Sequence, residues 1–261
     1  MQSHERRSTD GVFAYFAIAC GVTWLLAVPL NVAWMRHTTP PPYALAGAGL
    51  SAFGPLIAAL VVAGRQKRLG EVFRRWRTNP SWIAVALFTP MAAHLLATAL
   101  SFAIGGKPMQ WFHPPQTSEQ IAALVVFSLG EEFGWRGFAH PRMMDRYGLV
   151  KGSLALGALW GLWHLMYSFT PGVGTFDPFT FGMMMAELPL YTLLVTWVFE
   201  RANRSMAVAL AFHAGGHLDR IENEAHVDVR IHAAHLLVVA VLAALAARSL
   251  AKAARPAVVT A

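Results

Sequence analysis

The sequence predicts an all-α, polytopic membrane protein of about eight spans, with both termini in the cytoplasm. Three observations carry that expectation. The 261-residue chain is 56% hydrophobic and only 13% charged, whereas a soluble domain carries about 25% charged residues. Apolar stretches of spanning length recur along it. Its basic residues concentrate in alternate connections between those stretches.

A bilayer is crossed by about 17–25 residues of helix. Stretches of that kind read as 12–34, 43–64, 81–104, 121–139, 151–169, 179–200, 205–218 and 231–250, with seven spans as the alternative count. The first continues past Cys20 to Trp34, so it reads as a retained anchor and not a cleaved signal. Cys20 is the single cysteine, which excludes disulfides and multi-thiolate metal sites within one chain. Pro40, Pro41 and Pro42 close the first hairpin, because proline cannot continue a helix and restrains its predecessor. The basic run from Arg65 to Arg77 reads as an amphipathic cytoplasmic loop, and Trp111-Phe112-His113-Pro114-Pro115 as an interfacial aromatic loop on the outer side.

The fourth and fifth spans carry small residues at four-residue spacing, Gly130 and Gly134 in one, Ser153, Gly157 and Gly161 in the other. Such residues let membrane helices approach closely, and the short turn between the two spans predicts that they pack on each other. Thr170-Pro171-Gly172-Val173-Gly174 breaks the chain after the fifth span. The expected organisation is a cytoplasmic tail at 1–11, N-terminal transmembrane helices at 12–120, a central core at 121–218, and a last span with its tail at 219–261. The first eleven and last ten residues are expected to be mobile tails.

Alternating the connections from an inside N-terminus tests the topology. Sixteen basic residues fall inside: Arg6 and Arg7, the six between Arg65 and Arg77, Arg142, Arg146 and Lys151, Arg201 and Arg204, and Arg248, Lys252 and Arg255. Four fall outside, Arg36, Lys107, Arg220 and Arg230, while Arg136 lies within a span. That asymmetry is what the positive-inside rule predicts. The net charge of +7 therefore requires no nucleic-acid partner; its carriers set orientation and meet anionic lipid head groups.

Against this apolar background, Glu131-Glu132-Phe133-Gly134-Trp135-Arg136 is conspicuous. An ionisable group inside a bilayer costs several kcal/mol unless paired or facing a cavity, and marks a functional site by default. On a helix, Glu132 and Arg136 are i and i+4 and can form an ion pair. Glu131 is turned about 100° away, which leaves it as the carboxylate available for chemistry. His164 follows Trp160 by one turn in the fifth span. His213 and His217 share a face of the seventh span, a spacing that suits either a metal or donation to an oxyanion. Counting rise per residue puts Glu131, His164 and His213 near the central depth of the membrane. His94, His140, His232 and His235 lack comparable partners in sequence and read as structural or interfacial.

Glu-Glu-x-x-x-Arg, then aromatic-x-x-x-His, then His-x-x-x-polar, in successive membrane helices, resembles the CPBP family of intramembrane endopeptidases. That family groups the type II CAAX prenyl endopeptidases with the lysostaphin resistance protein A-like, or Abi, proteins. The matching stretch runs from Ile121 to Leu218. The resemblance implies about eight spans and a glutamate-dependent protease at the membrane, without a cofactor. It also implies roles: Glu131 as general base, His164 as its partner in activating water, His213 and His217 at the oxyanion, and Glu132, Arg136 and Trp160 as structural support. Two positions depart from the pattern. Trp160 stands where phenylalanine is usual, and His217 where asparagine or aspartate is usual.

Three alternatives remain at this point. Glu131, His164, His213 and His217 can be read as a zinc set of a metal-dependent hydrolase. A non-catalytic immunity or scaffold protein would carry the same fold, and a transporter is weaker because no inverted repeat is apparent. The expected partners are membrane lipids and a membrane-associated peptide, with the oligomeric state open. The expected location is a prokaryotic cytoplasmic membrane.

Overall fold

A computed structural model describes residues 11–106, 115–218 and 229–253. Arg6, Arg7, Lys107, Arg220, Arg255, the aromatic loop from Trp111 to Pro114 and most of both expected tails lie outside the described residues. The chain is all-helical. Its α-helices are α1 (Val12–Met35), α2 (Pro42–Ser51), α3 (Gly54–Arg65), α4 (Leu69–Phe73), α5 (Pro80–Ala103), α6 (Ser118–Glu132), α7 (His140–Tyr147), α8 (Leu149–Trp163), α9 (Pro178–Arg201), α10 (Met206–Leu218) and α11 (Val229–Ala253). A π-helix, Phe133–Ala139, joins α6 to α7, and a 3₁₀ turn, His164–Ser168, extends α8.

Local chemistry explains the boundaries. Pro42, Pro55, Pro80 and Pro178 stand in the first turns of their helices, where the missing N–H costs nothing. Asn79 and Asp177 cap α5 and α9 by accepting from the amides of Ser81 and Phe179. A reciprocal Thr117–Gln120 box starts α6.

Five helical segments are long and apolar enough to cross a bilayer: Val12–Met35, Pro80–Ala103, Leu149–Ser168, Pro178–Arg201 and Val229–Lys252. A sixth is added if α2 and α3, bent by 61° at their junction, form one broken span. The count is thus five or six among the described residues, and the expected eight is not reached. The fourth expected span is not one regular helix, because α6 ends at Glu132 and gives way to the π-helix. The seventh is the 13-residue α10, roughly 20 Å long at 1.5 Å per residue and short of a ~30 Å core.

Two apolar clusters organise the bundle. In one, Tyr15 and Phe16 of α1 pack against Trp135 and Phe138 of the π-helix, and Tyr15 stacks on Phe138 at 4.9 Å between ring centres. In the other, α5, α9, α10 and α11 meet through Ala86, Val195, Val198, Phe212 and Val239. The glycine stripes serve separate partners, contrary to the expectation that they face one another. An added Cβ at Gly130 would meet Phe53, and one at Gly134 would lie 2.5 Å from the backbone of Pro55. One at Gly157 would lie 2.4 Å from Cα of Pro189 in α9. Small residues report close approach by a neighbour, without specifying which neighbour.

Gly134→Ala is therefore expected to destabilise the protein by about 1–3 kcal/mol through overpacking against backbone that cannot retreat. Thermal unfolding in detergent measures this. Gly182→Ala, where an added Cβ meets nothing within 4 Å, should match wild type.

Candidate functional site

The last turn of α6 and the π-helix place two carboxylates and a guanidinium side by side in the interior. Glu131, Glu132 and Arg136 are 7%, 1% and 4% exposed. Arg136 Nη1 donates to Glu132 Oε1 at 2.9 Å, so the pair expected from the i,i+4 spacing forms. A π-turn here fits the tendency of such distortions to mark functional sites. Arg136 also stands over the Trp160 ring, 4.9 Å from its centre.

Helix α10 brings histidines onto this pair from across the bundle. His213 Nδ1 donates to Glu132 Oε1 at 2.9 Å. That oxygen thus receives two donors from separate helices, fixing the Glu132 side chain. His213 Nε2 lies 4.0 Å from Glu131 Oε1 and 3.0 Å from His217 Nε2. Because a carboxylate only accepts, the Nδ1 proton of His213 is assigned by its partner. In neutral His213 the Nε2 lone pair then accepts from His217. In the imidazolium form, His213 would balance the second negative charge of the glutamate pair.

Glu131 is held on its other edge. Its Oε2 accepts from the indole N–H of Trp160 at 3.2 Å and of Trp135 at 3.4 Å. Trp160 is thereby a polar contact of Glu131 as well as a packing aromatic, and phenylalanine could not replace that N–H. His164 Nδ1 donates to the Trp160 carbonyl at 2.9 Å, which leaves the lone pair of the neutral ring on Nε2. The Trp160 and His164 rings lie 5.6 Å apart. All seven residues singled out in the sequence thus belong to one neighbourhood, with His164 tied to Glu131 through Trp160.

Two features escaped the sequence. Trp135, one turn after Glu131, reads there only as an apolar residue. A second polar cluster lies elsewhere in the bundle: His235 Nδ1 is 3.0 Å from Glu187 Oε1, and its Nε2 is 3.4 Å from the Tyr191 hydroxyl. His235 therefore has ionisable company that its sequence neighbours do not reveal, and the His94 ring lies 5.7 Å from it. Among the described residues, no group of three or more His, Cys, Asp or Glu side chains is placed to hold a metal ion.

Buried glutamates, an arginine and histidines converging from separate helices define a polar, ionisable centre inside an all-helical membrane protein. Residues 114–218 match the family described as type II CAAX prenyl endopeptidase Rce1-like. A CAAX prenyl protease 2 of Methanococcus maripaludis is 25% identical over 178 residues, covering 61% of this chain and 65% of that protein. The match thus spans a little under two thirds of the relative's length. Together these matches support the CPBP family for this chain.

Proposed function

We propose that this protein is an intramembrane endopeptidase that hydrolyses a peptide bond of a membrane-associated substrate with water activated by Glu131 and His164. The observation that carries the reading is the asymmetric setting of Glu131. Its Oε2 is occupied by two indole donors while Oε1 lies toward His213. Glu131 removes one proton from a water whose other hydrogen is held by His164 Nε2, the water oxygen attacks the scissile carbonyl carbon, and the carbonyl electron pair moves onto oxygen. His213 in its imidazolium form donates to that oxyanion from Nε2, its Nδ1 proton staying on Glu132, and His217 donates a ring N–H beside it. On collapse the C–N bond breaks, and the departing amine takes the proton that Glu131 received. Glu132 and Arg136 keep His213 in place.

The relative's name makes a prenylated C-terminal peptide the first substrate to try. The test is hydrolysis of membrane-anchored peptides, with and without a prenyl group, by detergent-purified protein. Wild type, Glu131→Gln and a chelator-treated sample are compared. Cleavage that disappears in Glu131→Gln and survives chelation supports the reading. Wild-type rates in Glu131→Gln overturn it, and loss on chelation that zinc restores transfers the chemistry to a metal.

Trp160→Phe supplies a graded check. It keeps the ring beside Arg136 and removes one donor to Glu131, leaving the weaker Trp135 contact. A hydrogen bond to a charged group contributes roughly 1.5–3 kcal/mol to stability, so the Tm is expected to fall by about 3–12 °C, and kcat falls with it as Glu131 loses the donor that orients it.

A further inference from the structure

Arg136 also lines a second feature, a cavity of about 180 Å³ with six arginines in its wall: Arg68, Arg74, Arg75, Arg136, Arg142 and Arg204. They come from the Arg65–Arg77 loop, the π-helix, α7 and the α9–α10 turn. Three connections that the charge count placed on one side of the membrane thus meet in one cavity.

Their negative partners are too few. Arg68, Arg74 and Arg142 all turn to the single carboxylate of Glu71, at 2.7, 3.6 and 3.6 Å. Asp145 also lines the cavity, while Arg136 and Arg204 are held by Glu132 and Glu200. Among the described residues, four carboxylates therefore answer six guanidiniums, an excess of two positive charges. Arg136 and Arg142 are only 4% and 3% exposed, and the Nε of each is buried without a hydrogen-bond partner among the described residues. Burial, followed by the charge of Arg68, draws the Arg142 guanidinium down to about 10. Guanidinium N–H groups arrayed around a small cavity suit a tetrahedral oxyanion, which accepts several forked hydrogen bonds at once.

The cavity wall is built at some conformational expense. Arg75 has φ 82° and Arg204 φ 55°, conformations that cost of order 1–3 kcal/mol at a non-glycine residue. Arg75 is fixed because its carbonyl accepts from the Met206 amide at 2.7 Å. The next carbonyl, of Trp76, accepts from Ser205 Oγ at 2.8 Å. The loop is thus docked on the start of α10, the helix that carries His213 and His217. Leu69, Phe73 and Trp76 on the same loop are 43%, 39% and 46% exposed, as befits an element lying at a lipid surface.

We infer that this arginine-lined cavity binds a phosphate group, and that the exposed apolar side chains beside it favour the head group of an anionic phospholipid over free phosphate. Basic pockets between membrane helices take such head groups. Bound there, the phosphate neutralises the guanidiniums beside Arg136 and braces the loop beneath α10.

The test uses the purified full-length chain in neutral detergent. Its Tm is followed on titration with phosphatidylglycerol, phosphatidylcholine or inorganic phosphate, for wild type and for Arg74→Gln/Arg75→Gln. Phosphatidylglycerol is expected to raise the wild-type Tm, with phosphatidylcholine well behind. The double variant should need roughly tenfold or more phosphatidylglycerol for half the effect, at about 1 kcal/mol per arginine near an anionic head group. An equal response to inorganic phosphate at matched concentration supports the phosphate site and makes free phosphate its source. Equal responses to the two lipids, no response to any probe, or an unchanged titration in the variant overturns the inference. Should the glutamine variant not fold, Arg74→Lys/Arg75→Lys keeps the charge and removes the forks. Native mass spectrometry then counts retained phosphatidylglycerol, with fewer lipids than wild type expected and equal retention overturning the inference.

Discussion

Glu131→Gln is expected to lower kcat for peptide hydrolysis by two to four orders of magnitude, the usual contribution of a positioned general base, without lowering the Tm. The substitution is nearly isosteric, and its orientation is dictated by the neighbours. Trp160 and Trp135 both aim N–H groups at Oε2 of Glu131. The amide oxygen of a glutamine satisfies them, while an amide nitrogen in that position would set donor against donor. The –NH₂ is therefore driven to the Oε1 position, where a neutral amide cannot take a proton from water. Removing a buried carboxylate also removes a charge from the interior, so the fold should not suffer. A variant that stays folded and retains wild-type kcat would show that Glu131 is not the base. Glu131→Ala is less informative, since it also strips the two indoles of their acceptor and mixes a packing defect with a chemical one.

How much of this was legible in the sequence depends on how far apart the interacting residues lie. The Glu132–Arg136 pair follows from helical spacing, and it survives the change from α- to π-helix because both residues stay on one face. The helical character and most long spans follow from the length of the apolar runs. By contrast, His213 reaches Glu132 across 81 residues, and Glu187 reaches His235 across 48. Local pattern carries no record of such pairings. The π-helix left no trace either: the spacing of Phe133 to Ala139 does not distinguish it from an α-helical turn, although Gly134 and Gly137 in it lie close against Pro55 and Val72. The glycine stripes were visible, but their partners, the α2–α3 break and α9, were not. The basic loop at Arg65–Arg77 reads in sequence as an amphipathic cytoplasmic loop. That three of its arginines close a cavity with Arg136, Arg142 and Arg204 depends on the way α7 and the α9–α10 turn fold back on it.

The second large effect is expected at Glu132, and it should fall on stability and activity together. Glu132→Ala leaves the Arg136 guanidinium in the interior without its 2.9 Å carboxylate partner and deprives His213 Nδ1 of its acceptor. Breaking a buried ion pair from one side costs about 3–5 kcal/mol, because the remaining charge stays desolvated and uncompensated. For a chain of this size that corresponds to a fall of roughly 6–20 °C in Tm. Activity should vanish as well, since His213 loses the contact that fixes its ring and tautomer. Glu132→Ala/Arg136→Met separates the two consequences. With both charges gone the desolvation penalty disappears, and much of the lost Tm should return, as the general behaviour of buried pairs requires. Catalysis should not return, because nothing then holds His213 Nδ1. If the double variant is instead as unstable as the sum of its single changes, the two groups are not energetically coupled, and Glu132 would act on His213 alone.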